Sequence, residues 1–176
     1  MKKIILNAFG QDSPGLVSKI TKIICKRDGN IEVSKMTQLE SDFSLLMLIE
    51  IPEENIDHLM NNLNEIEGLD AIYKLTNQKN EKSQYNEYSF KVSVADNEGI
   101  IYMFSNLFKQ YKINIINMDT YIKNAANTGF PIFFLKANIM VPLESSIEEL
   151  TFEIDKISQK NNIDYKLIKI NWKLFI

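Results

Sequence analysis

The sequence predicts an α+β protein built from two tandem ferredoxin-like βαββαβ units, and three observations predict it. Residues 4 to 31 recur as residues 88 to 115, with Asp12 matched to Asp96, an offset of 84. Within each copy, short apolar runs alternate with segments at helical spacing in the order β-α-β-β-α-β. A polar stretch, "NQKNEKSQYNE" (77–87), lies between the copies and has little to bury. That order of elements describes one antiparallel sheet with two helices on one face. A chain of 176 residues accommodates two such units, each near the lower size at which a single core suffices. The expected division is a first domain over 1–76, a linker over 77–87 and a second domain over 88–176.

The elements of the first copy follow in order. A weakly alternating strand covers residues 2 to 9 and runs into Asp12-Ser13-Pro14-Gly15. Leu16, Ile20, Ile23 and Ile24 then form one face of a helix. "IEVSKMTQLE" alternates apolar and polar residues, with Ile31, Val33, Met36 and Leu39 as inward candidates. "FSLLMLIEI" is a nearly continuous apolar strand. Pro52-Glu53-Glu54 opens the second helix with acid in its first turn, which suits the helix dipole. Gly68 closes that helix, and "DAIYKLT" is the fourth strand.

The second copy repeats this plan. Gly15 matches Gly99, Leu16 matches Ile100, Ile20 matches Phe104, and Asn30-Ile31 match Asn114-Ile115. In the last helices the offset grows to 91, as Leu59 and Leu63 match Leu150 and Ile154. The seven additional residues are assigned to the hairpin "KNAANTGFP" (123–131), against "LESDF" (39–43) in the first copy. Ser145 with Glu148 is the expected capping box of the last helix.

Composition narrows the function. A net charge of −3 argues against a broad nucleic-acid surface. Arg27 is the only arginine, so bidentate phosphate clamps are nearly absent. Cys25 is the only cysteine, which leaves no intrachain disulfide or cysteine zinc site. Beside Ile23 and Ile24 it reads as a small buried hydrophobe. The N-terminal apolar run breaks at Asn7, too early for a signal peptide or a spanning helix, so a cytoplasmic location is expected. His58, the only histidine, is expected on the exposed side of its helix, and no catalytic group, metal site or cofactor is expected. Neither G-x-x-x-x-G-K-[ST] nor G-x-G-x-x-G occurs. Tyr88, Phe90, Phe133 and Phe134 raise the option of an RNA-binding open sheet face, but the acidic chain and the missing RNP pattern rank it behind regulation and enzymology.

The Asp12–Gly15 loop has two readings. In one it is a capped turn: Ser13 caps the helix, Pro14 takes its first position, Gly15 permits tight packing, and Asn30 tolerates a left-handed turn. In the other it is a pocket for a free amino acid, in which the helix N-terminus takes the carboxylate, Asp12 the ammonium, and Asn30 supplies an amide. The recurrence of Asp, Gly and Asn at fixed spacing in both copies favours the pocket.

Asp12-Ser13-Pro14-Gly15-Leu16 followed by Gly29-Asn30-Ile31 resembles the opening of an ACT domain, a small ferredoxin-like module that binds amino acids. Two such modules with little else resemble the glycine cleavage system transcriptional repressor family. The resemblance implies a ligand site at Asp12, Ser13, Pro14, Gly15, Leu16, Asn30 and Ile31. A weaker second site falls at Asp96, Asn97, Gly99 and Asn114, where Glu98 and Ile113 replace the motif's Pro and Gly. It further implies a regulator rather than an enzyme, with no catalytic domain accompanying the pair. The ligand is expected to be glycine or serine, the partner a transcriptional activator protein rather than DNA, and the chain a homodimer. A stand-alone ACT subunit regulating an amino-acid metabolic enzyme is the alternative.

Overall fold

The computed structural model describes residues 1–76, 84–95, 98–126 and 128–170. The chain divides into two units, Met1–Asn80 and Glu81–Ile176. In the first, the elements are β1 (Lys2–Gln11), α1 (Leu16–Lys26), β2 (Asn30–Leu39), β3 (Asp42–Ile51), α2 (Ile56–Asn64) and β4 (Leu69–Thr76). A 3₁₀ turn over Glu53–Asn55 leads into α2. In the second they are β5 (Tyr85–Ala95), α3 (Ile100–Gln110), β6 (Asn114–Asn124), β7 (Pro131–Pro142), α4 (Ile147–Asn161) and β8 (Asp164–Lys169). β5 thus begins inside the segment expected as linker.

Each unit has one four-stranded antiparallel sheet, ordered β2-β3-β1-β4 in the first and β6-β7-β5-β8 in the second. The first strand of each unit lies inside the sheet and pairs on both edges. Its alternation decides which side is core: Ile4, Leu6 and Ala8 are fully buried, and so are Leu45, Ile49 and Ile51 on β3. Leu16, Ile20 and Ile24 of α1 and Leu59 and Leu63 of α2 close this face. The second core is built on the same plan with aromatic side chains. Phe90 meets Phe104 and Phe108 edge-on, with ring centroids 4.9 and 5.2 Å apart.

Helix ends repeat as well. Gly15 and Gly99 are the N-caps of α1 and α3, both left-handed, with φ of +88° and +83°. Asp28, Lys112 and Asn162 take left-handed conformations just past α1, α3 and α4. Gly29, Ile113 and Ile163 then donate their N–H groups back to Ile24, Phe108 and Ser158, closing three Schellman turns. The left-handed residue after α1 is therefore Asp28; Asn30 is already in β2.

Several expectations need correction. Val33, Met36 and Leu39 are more than half exposed: after the bulge that follows Ile31, Val33 and Leu39 fall on the open face opposite Leu48 and Asp42, and Met36, opposite buried Leu45, lies on an edge strand. Cys25 is exposed, since Ile20 and Ile24 hold the buried stripe of α1. The N-cap of α4 is Ser146, whose Oγ accepts from the Glu149 N–H at 3.2 Å, while Ser145 Oγ donates to the Tyr111 carbonyl. A β-bulge follows Ile31 in one hairpin and Ile115 in the other. Ile31 pairs with Ile49 and Ile115 with Ile139, so the second hairpin is longer by six residues, and the seventh lies between β7 and α4. The single arginine is spent on structure: Arg27 donates to Asn62 Oδ1 at 2.7 and 3.2 Å, joining α1 to α2.

Two predictions follow from this geometry. Gly15→Ala and Gly99→Ala each place a Cβ on left-handed backbone and should lower unfolding free energy by about 1–2 kcal/mol. Gly10→Ala should do more damage, because its Cβ would lie 1.9 Å from the Gly68 carbonyl oxygen. Urea unfolding of the three variants gives the order. Tyr165 supplies the second. Burial first, and then its hydrogen bond and proximity to Asp155 (2.7 Å), push its phenol up to about 12. The neutral form is the one the fold favours, so this stabilisation is complete below the ordinary tyrosine pKa of about 10 and is lost as pH rises through about 12. One tyrosine should titrate late by tyrosinate absorbance, and Tyr165→Phe should remove that late step.

Candidate functional site

The Asp12–Gly15 loop is held by its backbone. Gln11 donates its N–H to the Gly68 carbonyl at 3.3 Å, and Asp12 donates to Ser41 at 3.0 Å. Leu16 N–H reaches back to Ser13 at 3.1 Å, and Lys19 N–H bonds the Gly15 carbonyl at 2.9 Å. No side chain caps the helix. Ser13 is therefore not the cap, and Pro14 precedes the cap instead of opening the helix. Gly15 is present for its φ and not for tight packing, since nothing lies within 4 Å of the position of a Cβ. The N–H groups of Val17 and Ser18 fall in the first turn, where an α-helix supplies no acceptor.

Beside this turn is a cavity of about 800 Å³ between the start of α1 and the chain leaving α2. Leu16 and Leu69 form its buried floor, with Ile66 half-buried beside them. Lys19 is the cation on its wall; Asp12, Glu65 and Glu67 are the acids, and all four are exposed. Helix N-terminus plus Lys19 suits a carboxylate, and the three acids suit an ammonium group. The site thus has both halves of the chemistry a zwitterion needs.

Of the residues expected at the site, the structure brings Asp12, Ser13 and Leu16 to this cavity, with Pro14 and Gly15 forming the turn beside it. It does not bring Asn30 there. Asn30 pairs with Glu50, near the end of the sheet where Lys2 pairs with Ile51, whereas Gln11 pairs with Asp42 at the other end. The two ends are separated by the length of β1, about 30 Å at the usual strand rise. Within one unit Asp12 and Asn30 therefore belong to different places. Ile31 packs half-buried against the core. Near the Asn30 end, Lys3 donates to Glu32 Oε1 at 2.5 Å. That hydrogen bond holds its ammonium above the usual lysine pKa, against a smaller opposing effect of desolvation. Gly29 is a packing residue: a Cβ there would meet Ile24 Cγ2 at 2.7 Å.

In the second unit Gly99 repeats the left-handed cap, with Met103 N–H bonded to its carbonyl at 2.9 Å. Asp96 and Asn97 lie outside the described residues. Asn114 opens β6 just as Asn30 opens β2. Sequence reading missed Lys19, Glu65 and Glu67. Lys19, one turn into a helix that begins at a suspected ligand loop, was findable; nothing local marks the two glutamates. His58 is exposed, and no group of metal-binding side chains occurs among the described residues. Among those residues, no helix is long and apolar enough to cross a membrane.

Comparison with known proteins agrees with the fold. Residues 2–70 match the ACT domain model. The second unit repeats the βαββαβ plan of the first, so the chain has the fold of two tandem ferredoxin-like units of the ACT type. Its likeness extends along nearly its full length to one regulator: the glycine cleavage system transcriptional repressor of Escherichia coli K12 is 26% identical over 173 residues, covering 92% of this chain and 90% of that protein. A Methanococcus maripaludis protein is 30% identical over 57 residues, which is 32% of this chain and 63% of that protein. A crystal structure of an unknown protein from Galdieria sulphuraria shares the fold, with TM-score 0.85 at 19% identity, over 97% of this chain and 99% of that one.

Proposed function

We propose that the protein is an amino-acid-responsive regulator that acts through protein contact. The observation that carries this is the cavity at the start of α1, lined by Lys19 together with Asp12, Glu65 and Glu67, in the unit that matches the ACT domain model. A free amino acid carries the matching pair of charges. Glycine or serine is proposed as the ligand from the likeness to the glycine cleavage system repressor rather than from the size of the cavity. The likeness to the glycine cleavage system transcriptional repressor supports transcriptional control of glycine metabolism; contact with an activator protein, made by a homodimer, completes the proposal. Ligand binding would shift the arrangement of the protein by its differential affinity for two states.

Thermal unfolding tests the ligand. At 100 times its dissociation constant, a ligand adds about 2.7 kcal/mol to the folded state. For a chain of this size, that should raise the melting temperature by about 5–10 °C. Asp12→Ala and Lys19→Met should abolish the shift in proteins that remain folded by circular dichroism, and Asn30→Ala is the distant control. The amide and the deaminated acid of the active compound should each give little shift. A screen of the twenty amino acids that moves nothing would leave the loop as a turn whose work is to start α1.

A further inference from the structure

The open face of the second sheet carries a feature that the amino-acid site does not use. Lys91 of β5 pairs directly with Lys136 of β7 on one side and with Lys166 of β8 on the other. Three lysines thus stand side by side across three adjacent strands, all exposed and all pointing away from the core. Directly opposed like charges destabilise a sheet. Among the described residues, none of the three is within ion-pair distance of a carboxylate. The first unit shows that the fold does not require them. There the equivalent row is Leu46, Asn7 and Ile72, in the same pairing.

The next row up the sheet is aromatic. Tyr121 and Phe134 pair across β6 and β7 and stack, with centroids 5.1 Å apart and planes 18° off parallel. Ser93 and Asp164 complete that row. A groove of about 220 Å³ joins the lysines to Phe134, Ser93 and Asp164. A second hollow of about 300 Å³ shares Phe134, Ser93 and Asp164 and is walled by Phe130. Phe130 belongs to the longer β6–β7 turn, which the first unit lacks. The acids facing the same surface are Asp119, opposite Lys136, Asp164 in the aromatic row, and Glu87 two rows further along β5.

We infer that this face binds a small anion attached to a planar ring, of the class of a nucleoside phosphate. The lysine row takes the phosphate, the ring lies along Phe134, and Ser93 and Asp164 offer hydrogen-bond partners for ring or sugar. Charge complementarity selects the anion, and the adjoining aromatic row selects the ring. The combined hollow suits a mononucleotide. The net charge of −3 disfavours a long nucleic-acid track.

Calorimetric titration of the full chain tests this, using ADP, inorganic pyrophosphate, adenosine and a single-stranded oligonucleotide as probes. ADP should bind, with affinity falling as salt is raised, and adenosine should not. The variant Lys91→Asn, Lys136→Leu, Lys166→Ile installs the first unit's residues, and should lose at least tenfold in ADP affinity while melting no lower than the parent. Tyr121→Ala should weaken ADP more than pyrophosphate, and Lys91→Asn alone provides the test should the triple variant misfold. Absence of ADP binding at millimolar concentration would overturn the inference, as would binding unchanged in the lysine variants. Pyrophosphate binding as tightly as ADP, or the oligonucleotide binding more tightly than ADP, would overturn it too. None of these outcomes bears on the amino-acid site, which lies in the other unit and takes a different ligand.

Discussion

Everything in each unit hangs on the pairing of its first strand with two neighbours at once. β1 pairs with β3 and β4, and β5 with β7 and β8, all antiparallel. Side chains on a strand alternate between faces, so this double register fixes two surfaces together. Ile4, Leu6 and Ala8 turn to the helices, and Asn7 and Phe9 turn away with Leu46 and Ile72 beside them. The same register in the second unit buries Phe90 and Val92 and leaves Lys91 between two further lysines. It also sets the loop after β1 beside the turn before β4, where the cavity forms. Fold, ligand pocket and open face are thus consequences of one set of backbone hydrogen bonds.

The repeat made most of this legible. Buried positions at offsets of three and four in the helices were readable directly, as were the central strands, because each has a strong period and one side to bury. Edge strands were not. Val33, Met36 and Leu39 have the composition of a buried strand, but the bulge after Ile31 turns Val33 and Leu39 to the open face and Met36 lies on the sheet edge, and composition marks neither. Cys25 was misjudged for a related reason: adjacency to Ile24 in sequence is a turn of about 100° on a helix, enough to reach solvent. The one-residue error at the α4 cap came from two consecutive serines, and propensity does not choose between them.

The candidate site was half legible. Asp12 and Gly15 marked the loop that lies beside the cavity, whereas Asn30, chosen with them for its recurrence, stands at the other end of the sheet. A helix takes the chain from one end of the sheet to the other, so residues bracketing a helix are far apart in space. Lys19, Glu65 and Glu67 come from two segments that only the tertiary fold brings together. The lysine row is hidden for the same reason: its members are separated by tens of residues, and each alone is an ordinary exposed lysine.

The division between an aliphatic first core and an aromatic second one has a further, spectroscopic consequence. Six of the seven tyrosines, all but Tyr73, lie in the second unit, as does Trp172. Phe90, Phe104, Phe108 and Tyr165 are packed against one another in its interior. Near-ultraviolet dichroism and tyrosine emission therefore report almost wholly on the second unit, while far-ultraviolet dichroism follows the helices and strands of both. Melting curves recorded in the two regions coincide only if both units unfold together, so the native chain needs no added label to reveal whether its halves are one cooperative body or two.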